Sequence, residues 1–285
     1  MLQKAIRELY EENEASIIYD SELLDFVKEN ILQNKEKIPH LFRYSKADYY
    51  NIRGLEKQTL FLSPVGTMND VFEGLSCKVD DDVSAKLDYL NDLAFMKSFS
   101  EENSNLLLWA HYAENYSGMC VEYDFNLLDN NILFHLFPMV YSDRRIKNEN
   151  LTKFTAEELL DLKRMNSDGN YPNDTTYLRD IMSLYLVKAS CWSYEKEWRI
   201  IATYPQIFNT AEEIGDEEVK EFYDISDQII SAKNCIKAIY VGPRMKSEIK
   251  NHIYEICNDK LGKIPVYEMN LSRENYSFEK TIYKP

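Results

Sequence analysis

The apolar residues of this chain come in runs of strand length, and between those runs the period changes to that of a helix. His40–Tyr44, Thr59–Ser63, Phe95–Ser100, Met119–Tyr123, Ile236–Val241 and Ile264–Met269 read as strands, with a last strand within Tyr276–Tyr283. Helical spacing is predicted over two stretches within residues 2–35, over Lys46–Leu55 after Ser45 as cap, and over Ser104–Tyr116 after Ser104 as N-cap. It recurs over 155–166, 175–188 and Ser247–Leu261. Asp80-Asp81-Asp82 suits a helix start, where carboxylates meet the positive end of the dipole. Gly118 is placed to follow a helix end. Ile132–Tyr141 is rich in strand formers, and Lys188–Thr203 reads as a long strand or hairpin. Short strands mixed with helices, without a repeat or a low-complexity linker, predict one α+β domain over residues 39–285. A helical arm is expected over residues 1–38 and an acidic surface insertion over 205–231.

Charge narrows the partners. Of 285 residues, 33 are Lys or Arg and 48 are Asp or Glu, a net charge of −15. Such a surface repels phosphate backbones and anionic lipid at long range, which argues against duplex DNA and membrane as partners. No apolar run approaches the roughly 18 residues that a bilayer span needs. The N-terminal stretch lacks a signal-peptide core, so a cytoplasmic location is expected. The five cysteines, Cys77, Cys120, Cys191, Cys235 and Cys257, are widely spaced and odd in number. Four have apolar neighbours, and buried free thiols are expected rather than disulfides or a zinc site. The four histidines do not cluster with them, so no metal is expected. There is no phosphate-binding loop, no G-x-G-x-x-G and no G-x-S-x-G.

Four segments carry chemistry-bearing residues. In Cys191–Ile201, strand alternation places Glu195, Glu197 and Arg199 on one face. Two carboxylates so close are costly unless a cation or a reaction uses them. The face is either a charged ladder, with Arg199 pairing Glu197, or a functional carboxylate pair. Arg43 sits inside a short apolar strand and needs either a carboxylate, with Glu73 and Glu197 as candidates, or an anionic ligand such as a diphosphate. In Leu106–Ala113 the residues of interest are Trp109, His111 and Tyr112. The aromatic pair is either core or a sandwich for a planar heterocycle, and His111 is either a hydrogen-bonded core histidine or a base. The loop from Ser63 to Gly74 follows a strand and carries Asn69, Asp70 and Glu73.

Taken together, Leu41–Tyr44, Ser63–Glu73, Leu107–Ala113, Gly118–Tyr123, Tyr194–Arg199 and Ile236–Gly242 resemble the recurring motifs of the bacterial domain-of-unknown-function family 2971. The resemblance spans roughly residues 40–245 and implies no established activity. More distantly, the order of a basic residue on an opening strand, a serine-bearing strand, an aromatic helix and a late E-x-E looks like an ADP-ribosyltransferase. That resemblance implies an α+β fold with a split, mostly antiparallel sheet and flanking helices. It implies NAD as substrate, with Glu197 and Glu195 as catalytic residues. Arg43, Ser63, Trp109, His111 and Tyr112 would hold the dinucleotide, Arg43 at the diphosphate and Trp109 or Tyr112 over the nicotinamide. The chain lacks the Ser-Thr-Ser triplet of that pattern after Phe61-Leu62, and Arg199 is placed to neutralise Glu197.

The expected function is therefore an NAD-consuming ADP-ribosyltransferase or NAD glycohydrolase, acting as a bacterial toxin or phage-defence effector. A protein or nucleotide would be the acceptor, and a protein of the same defence or toxin system is an expected partner. Two other readings stand beside it. A metal-dependent nuclease would gather Asp70, Glu73, Glu122 and Asp124 around a divalent ion. A non-catalytic sensor or partner-binding module would close Arg43 and Glu197 into a salt bridge with no pocket beside it.

Overall fold

The computed structural model describes residues 38–74, 91, 94–128, 136–143, 185–203 and 229–285. The expected helices within 2–35 and over 155–166, residues 175–184 of the helix expected over 175–188, the Asp80–Asp82 triplet and Cys77 lie outside them, as does the acidic stretch up to residue 228. The end of the 175–188 stretch is described, and there Val187–Lys188 is strand rather than helix because it pairs with Val140–Tyr141.

Thirteen described strands run in chain order. They are β1 (Leu41–Ser45), β2 (Thr59–Phe61), β3 (Ser63–Pro64), β4 (Ala94–Ser100), β5 (Met119–Tyr123), β6 (Leu136–Pro138) and β7 (Val140–Tyr141), followed by β8 (Val187–Lys188), β9 (Glu197–Thr203), β10 (Ile229–Ser231), β11 (Ile236–Val241), β12 (Val266–Leu271) and β13 (Phe278–Ile282). The helices are α1 (Tyr49–Lys57), α2 (Leu106–His111) and α3 (Ser247–Glu255). Nine strands form one sheet in the order β13-β12-β11-β5-β1-β4-β9-β6, with β3 against β4. Every pair in it is antiparallel except β11 with β12. Two ribbons, β10 with β2 and β7 with β8, complete the described strands. The fold is α+β, with a large, mostly antiparallel sheet.

One joint of this sheet is nearly open. β1 and β5 pair over five positions and β4 and β9 over seven, but β1 and β4 register at a single pair, Phe42 opposite Ser100. Beyond it the Arg43 guanidinium reaches the Ser98 carbonyl at 3.5 Å. Polar groups along this seam are left to other partners, and the candidate site lies there.

Side-chain alternation sorts the core onto the two faces. Leu41, Met119, Val121 and Phe99 join the larger cluster. Tyr44, Cys120 and Tyr240 join Leu108 and Trp109 in a smaller one under α2. Of the expected buried thiols, Cys120, Cys235 and Cys257 are buried, whereas Cys191 is exposed because it lies in a surface turn rather than a strand.

Several boundaries move for local reasons. Ser45 belongs to β1, and Asp48 caps α1 by accepting from the Asn51 amide. Asn105, not Ser104, caps α2, accepting from the Leu107 and Leu108 amides. That helix ends at His111, and Glu114, Asn115 and Tyr116 follow with positive φ. Ile229–Ser231, expected within the insertion, pairs instead with β2. The last helix continues past Glu255 as one π-helical turn over Ile256–Lys260. Gly118 serves close approach. A Cβ there would stand 2.2 Å from the Ser45 carbonyl oxygen and 2.9 Å from the Ala113 backbone. Its amide donates to Ala113 and its carbonyl accepts from Gly242, so it ties the end of α2 to β5 and β11. Gly118→Ala is therefore expected to destabilise the domain by about 1–3 kcal/mol or more, as overpacking against rigid backbone does. A urea titration of the variant beside wild type measures this.

Candidate functional site

The site is built around a sharp change in the chain before β9. Residues Ser190–Glu195 form a 3-10 turn, and Lys196 takes a left-handed conformation, φ 44°, before the strand begins at Glu197. A non-glycine residue there is strained and needs surrounding support. The Ser100 hydroxyl supplies part of it by donating to the Glu195 carbonyl (2.7 Å), and the Asn105 side chain donates to the Tyr194 carbonyl (2.9 Å). From the other side, the Glu197 amide donates to the Tyr141 hydroxyl (2.7 Å). Asn105 thus caps α2 and anchors the turn that presents Glu195.

Strand alternation holds for Glu197 and Arg199 but not for Glu195, which lies in the turn rather than on the strand face. Both carboxylates nonetheless line one cavity, because the left-handed step at Lys196 turns the chain between them. Glu195, Glu197, Arg199 and Lys188 are all buried, Arg199 to 1% exposure. Arg199 Nε donates to Glu197 (2.7 Å), and its Nη atoms hold Glu73 through two bonds, one of them 2.8 Å. The same guanidinium donates to the Tyr185 carbonyl (2.8 Å). Lys188 Nζ bridges the two carboxylates, at 2.7 Å from Glu195 and 3.2 Å from Glu197. Glu195 also accepts from the Tyr112 hydroxyl (2.7 Å), which in turn accepts from Asn69 (3.1 Å).

This environment drives the two carboxyls apart. Burial pushes the Glu197 carboxyl up, but Arg199 and Lys188 more than reverse it and hold the group at about 2. Burial and the neighbouring Glu197 charge raise Glu195 above the ordinary carboxylate range, with Lys188 opposing. The two carboxyls thus differ in proton affinity, Glu195 holding its proton more tightly than Glu197, a kind of division that acid–base sites use.

The cavity has a volume of about 270 Å³, near the lower end for small-molecule pockets. Phe42, Tyr44, Phe99 and Tyr112 supply aromatic wall. Four cations (Arg43, Lys97, Lys188 and Arg199) face three carboxylates (Glu73, Glu195 and Glu197). In a chain of net charge −15, basic side chains outnumber acidic ones in this lining.

The sequence-derived candidates distribute unevenly. Arg43, Ser63, Tyr112, Glu195 and Glu197 line this cavity. Trp109 does not. It is fully buried, donates from Nε1 to the Asn103 carbonyl (2.8 Å) and packs edge-on against Tyr44 and Phe278. It is core, since α2 directs it into the smaller cluster. His111 is exposed at the last turn of α2 and also lies off the cavity, so it is neither a core histidine nor a base within reach. Arg43 pairs with neither Glu73 nor Glu197, because Arg199 takes both. The four carboxylates of the nuclease reading do not converge. Glu122 meets His40 and Tyr240, Asp124 accepts from Asn126 and pairs with Lys237, Asp70 accepts from the Phe72 amide and Glu73 holds Arg199. Among the described residues no group of three His, Cys, Asp or Glu side chains is placed to hold a metal ion. Lys188 and Lys97 join the site without having been singled out. Each is a lone lysine in a largely apolar run, Leu186-Val187-Lys188-Ala189 and Phe95-Met96-Lys97-Ser98-Phe99, a signal akin to the one that singled out Arg43.

Residues 108–200 match the family model described as "Protein of unknown function (DUF2971)". The matched stretch contains most of α2, all of β5, Lys188, the turn carrying Glu195 and the start of β9 with Glu197 and Arg199. Arg43 and Ser63 reach the cavity from outside it. No curated protein and no solved structure matches the chain.

Two outcomes follow from the ion network. Arg199→Leu leaves Glu73 and Glu197 buried beside fewer cations, and is expected to cost about 3–5 kcal/mol in urea unfolding. Lys196→Ala, which loses only the exposed pair with Glu102, should cost less than about 1 kcal/mol. The second outcome concerns acid. The folded value of Glu197, about 2, lies below its ordinary 4.5. Its stabilisation is therefore fully present above the ordinary value and lost as pH falls toward the folded one. The stability gap between wild type and Glu197→Gln should close over that window.

Proposed function

We propose that this chain is an NAD-consuming ADP-ribosyltransferase or NAD glycohydrolase, with the cavity at the β1–β4 seam as its active site. The observation that supports this reading most is the pairing of Glu195 and Glu197, with unlike proton affinities, opposite Arg43 and Lys97 within one cavity. The residues suit the two ends of such a substrate. Arg43 would neutralise the diphosphate, Ser63 lies beside it on the wall, and Tyr112 with Phe42 would flank the nicotinamide.

The chemistry follows from the two carboxylates. Breaking the nicotinamide–ribose bond sends the electron pair to the ring nitrogen and leaves positive charge on the ribose. Ionised Glu197, itself buried, stabilises that charge as it develops. Glu195 takes the proton from the attacking water or acceptor hydroxyl, and nicotinamide leaves neutral. Lys188, bonded to both carboxylates, holds their spacing. A role as toxin or phage-defence effector belongs to the same proposal and rests on the family resemblance alone.

The test is nicotinamide release by the purified chain, with and without cell extract. Wild type is expected to release it, and Glu195→Gln to fall by roughly 100-fold or more, as loss of a general acid–base does. Glu197→Gln should fall as far, with its fold checked by thermal melting because Arg199 loses a partner. Absence of release under every condition, with no shift of the melting temperature by NAD, would remove this reading. It would favour a ligand-binding module using the same cavity.

A further inference from the structure

A second cavity, of about 220 Å³, lies against α1 on the other side of the seam and shares Arg43, Ser63 and Lys97 with the first. Its remaining walls include Thr59 and Leu60 from β2. None of the described residues lining it is an Asp or Glu.

Three of the polar side chains lining it, Arg43, Thr59 and Lys97, are short of protein partners. Arg43 Nε is buried and bonded to nothing, and the single bond from that guanidinium is the long one to Ser98. The Thr59 hydroxyl is likewise buried without a partner. Lys97 forms no hydrogen bond or ion pair among the described residues. Burial and the nearby Arg43 charge depress the Lys97 amine well below its ordinary value. Two neighbouring basic side chains without an ion-pair partner among the described residues, Arg43 feeling Glu197 only at longer range, are a costly arrangement for a folded protein to keep, and a buried donor left unmet adds to the cost. Everywhere else in this site the structure pairs its cations, as Lys188 and Arg199 show. The acidic exterior makes the exception sharper.

We infer that this second cavity is a binding site for the phosphoryl group of a small molecule, held between Arg43 and Lys97. The fork of Arg43 and the point charge of Lys97 match tetrahedral phosphoryl oxygens, and Thr59 is placed to donate a further bond. Leu55, Leu60 and Phe61 offer apolar wall to the body of the ligand. The inference does not depend on catalysis in the first cavity. It assigns a functional role to Thr59, which the catalytic reading does not use, and gives Lys97 a ligand atom to meet.

Inorganic phosphate is the first probe and phenyl phosphate the second, each compared with chloride at equal ionic strength. Calorimetric titration and thermal melting supply the readouts. Wild type is expected to bind phosphate with a melting shift that chloride does not give, and phenyl phosphate more tightly. Lys97→Met should lose this binding by at least tenfold and, without ligand, melt at a higher temperature than wild type because an unpaired cation is gone. Thr59→Val should weaken binding severalfold, while Lys196→Met, on the exposed surface, should keep it. The inference is overturned if phosphate acts on wild type no differently from chloride, or if Lys97→Met retains wild-type affinity. Nicotinamide release, read in parallel on the same samples, reports the catalytic reading separately. Phosphate binding without NAD turnover would leave this site standing and that reading refuted.

Discussion

The buried guanidinium of Arg199 is the interaction on which the site depends. An arginine at 1% exposure survives only if its charge is met on every side. Here Glu197 comes from its own strand, Glu73 from the loop after β3 and a carbonyl from Tyr185. Three distant segments are thereby fixed around one ion. Their closure fixes Lys188, which the remaining carboxylate oxygens hold, and through Lys188 it fixes Glu195. The network costs desolvation energy that a hydrophobic cluster would not. Its return is geometric: two carboxylates at a defined spacing with unlike proton affinities.

The same network explains why Arg43 has no carboxylate partner. Glu73 and Glu197 are the acids nearest in sequence logic, and Arg199 has already taken both. Arg43 therefore faces the seam where β1 and β4 register at only one pair, beside Lys97 on the neighbouring strand. A complete ladder there would bring the two strands together and leave no room for a ligand. An open joint flanked by unmatched cations links the fold directly to the chemistry of what fits inside.

Much of the fold was legible because strand alternation is a local property. Met119–Tyr123 and Ile236–Val241 have the bounds that their apolar patterns predict. The pairing of Arg199 with Glu197 also follows from a period of two. The pattern misleads where the backbone leaves the strand without a glycine or proline to mark it. Lys196, at φ 44°, is such a place, and Glu195 consequently lies in a turn although the sequence reads as continuous strand. Trp109 and His111 fail for a related reason. A helical face can be read from spacing, but α2 has only six residues, and which face meets the sheet depends on the Asn105 cap and the turns after His111. The strands order the long-range pairings, and sequence spacing does not reveal that order.

Lys97 and Lys188 carry the same local signature, a lone lysine among apolar neighbours, yet they meet opposite ends. Lys188 reaches two carboxylates and its amine is held above the ordinary value, their attraction outweighing burial and the Arg199 charge. Lys97 reaches none, and burial together with Arg43 pushes its amine down. A lysine that served only packing could be replaced by methionine with a gain in stability. Its place beside a second basic group without an ion-pair partner is explained by an anion from outside the chain. The contrast between these two lysines, one satisfied within the protein and the other not, separates the part of this site that holds itself together from the part that is built to hold something else.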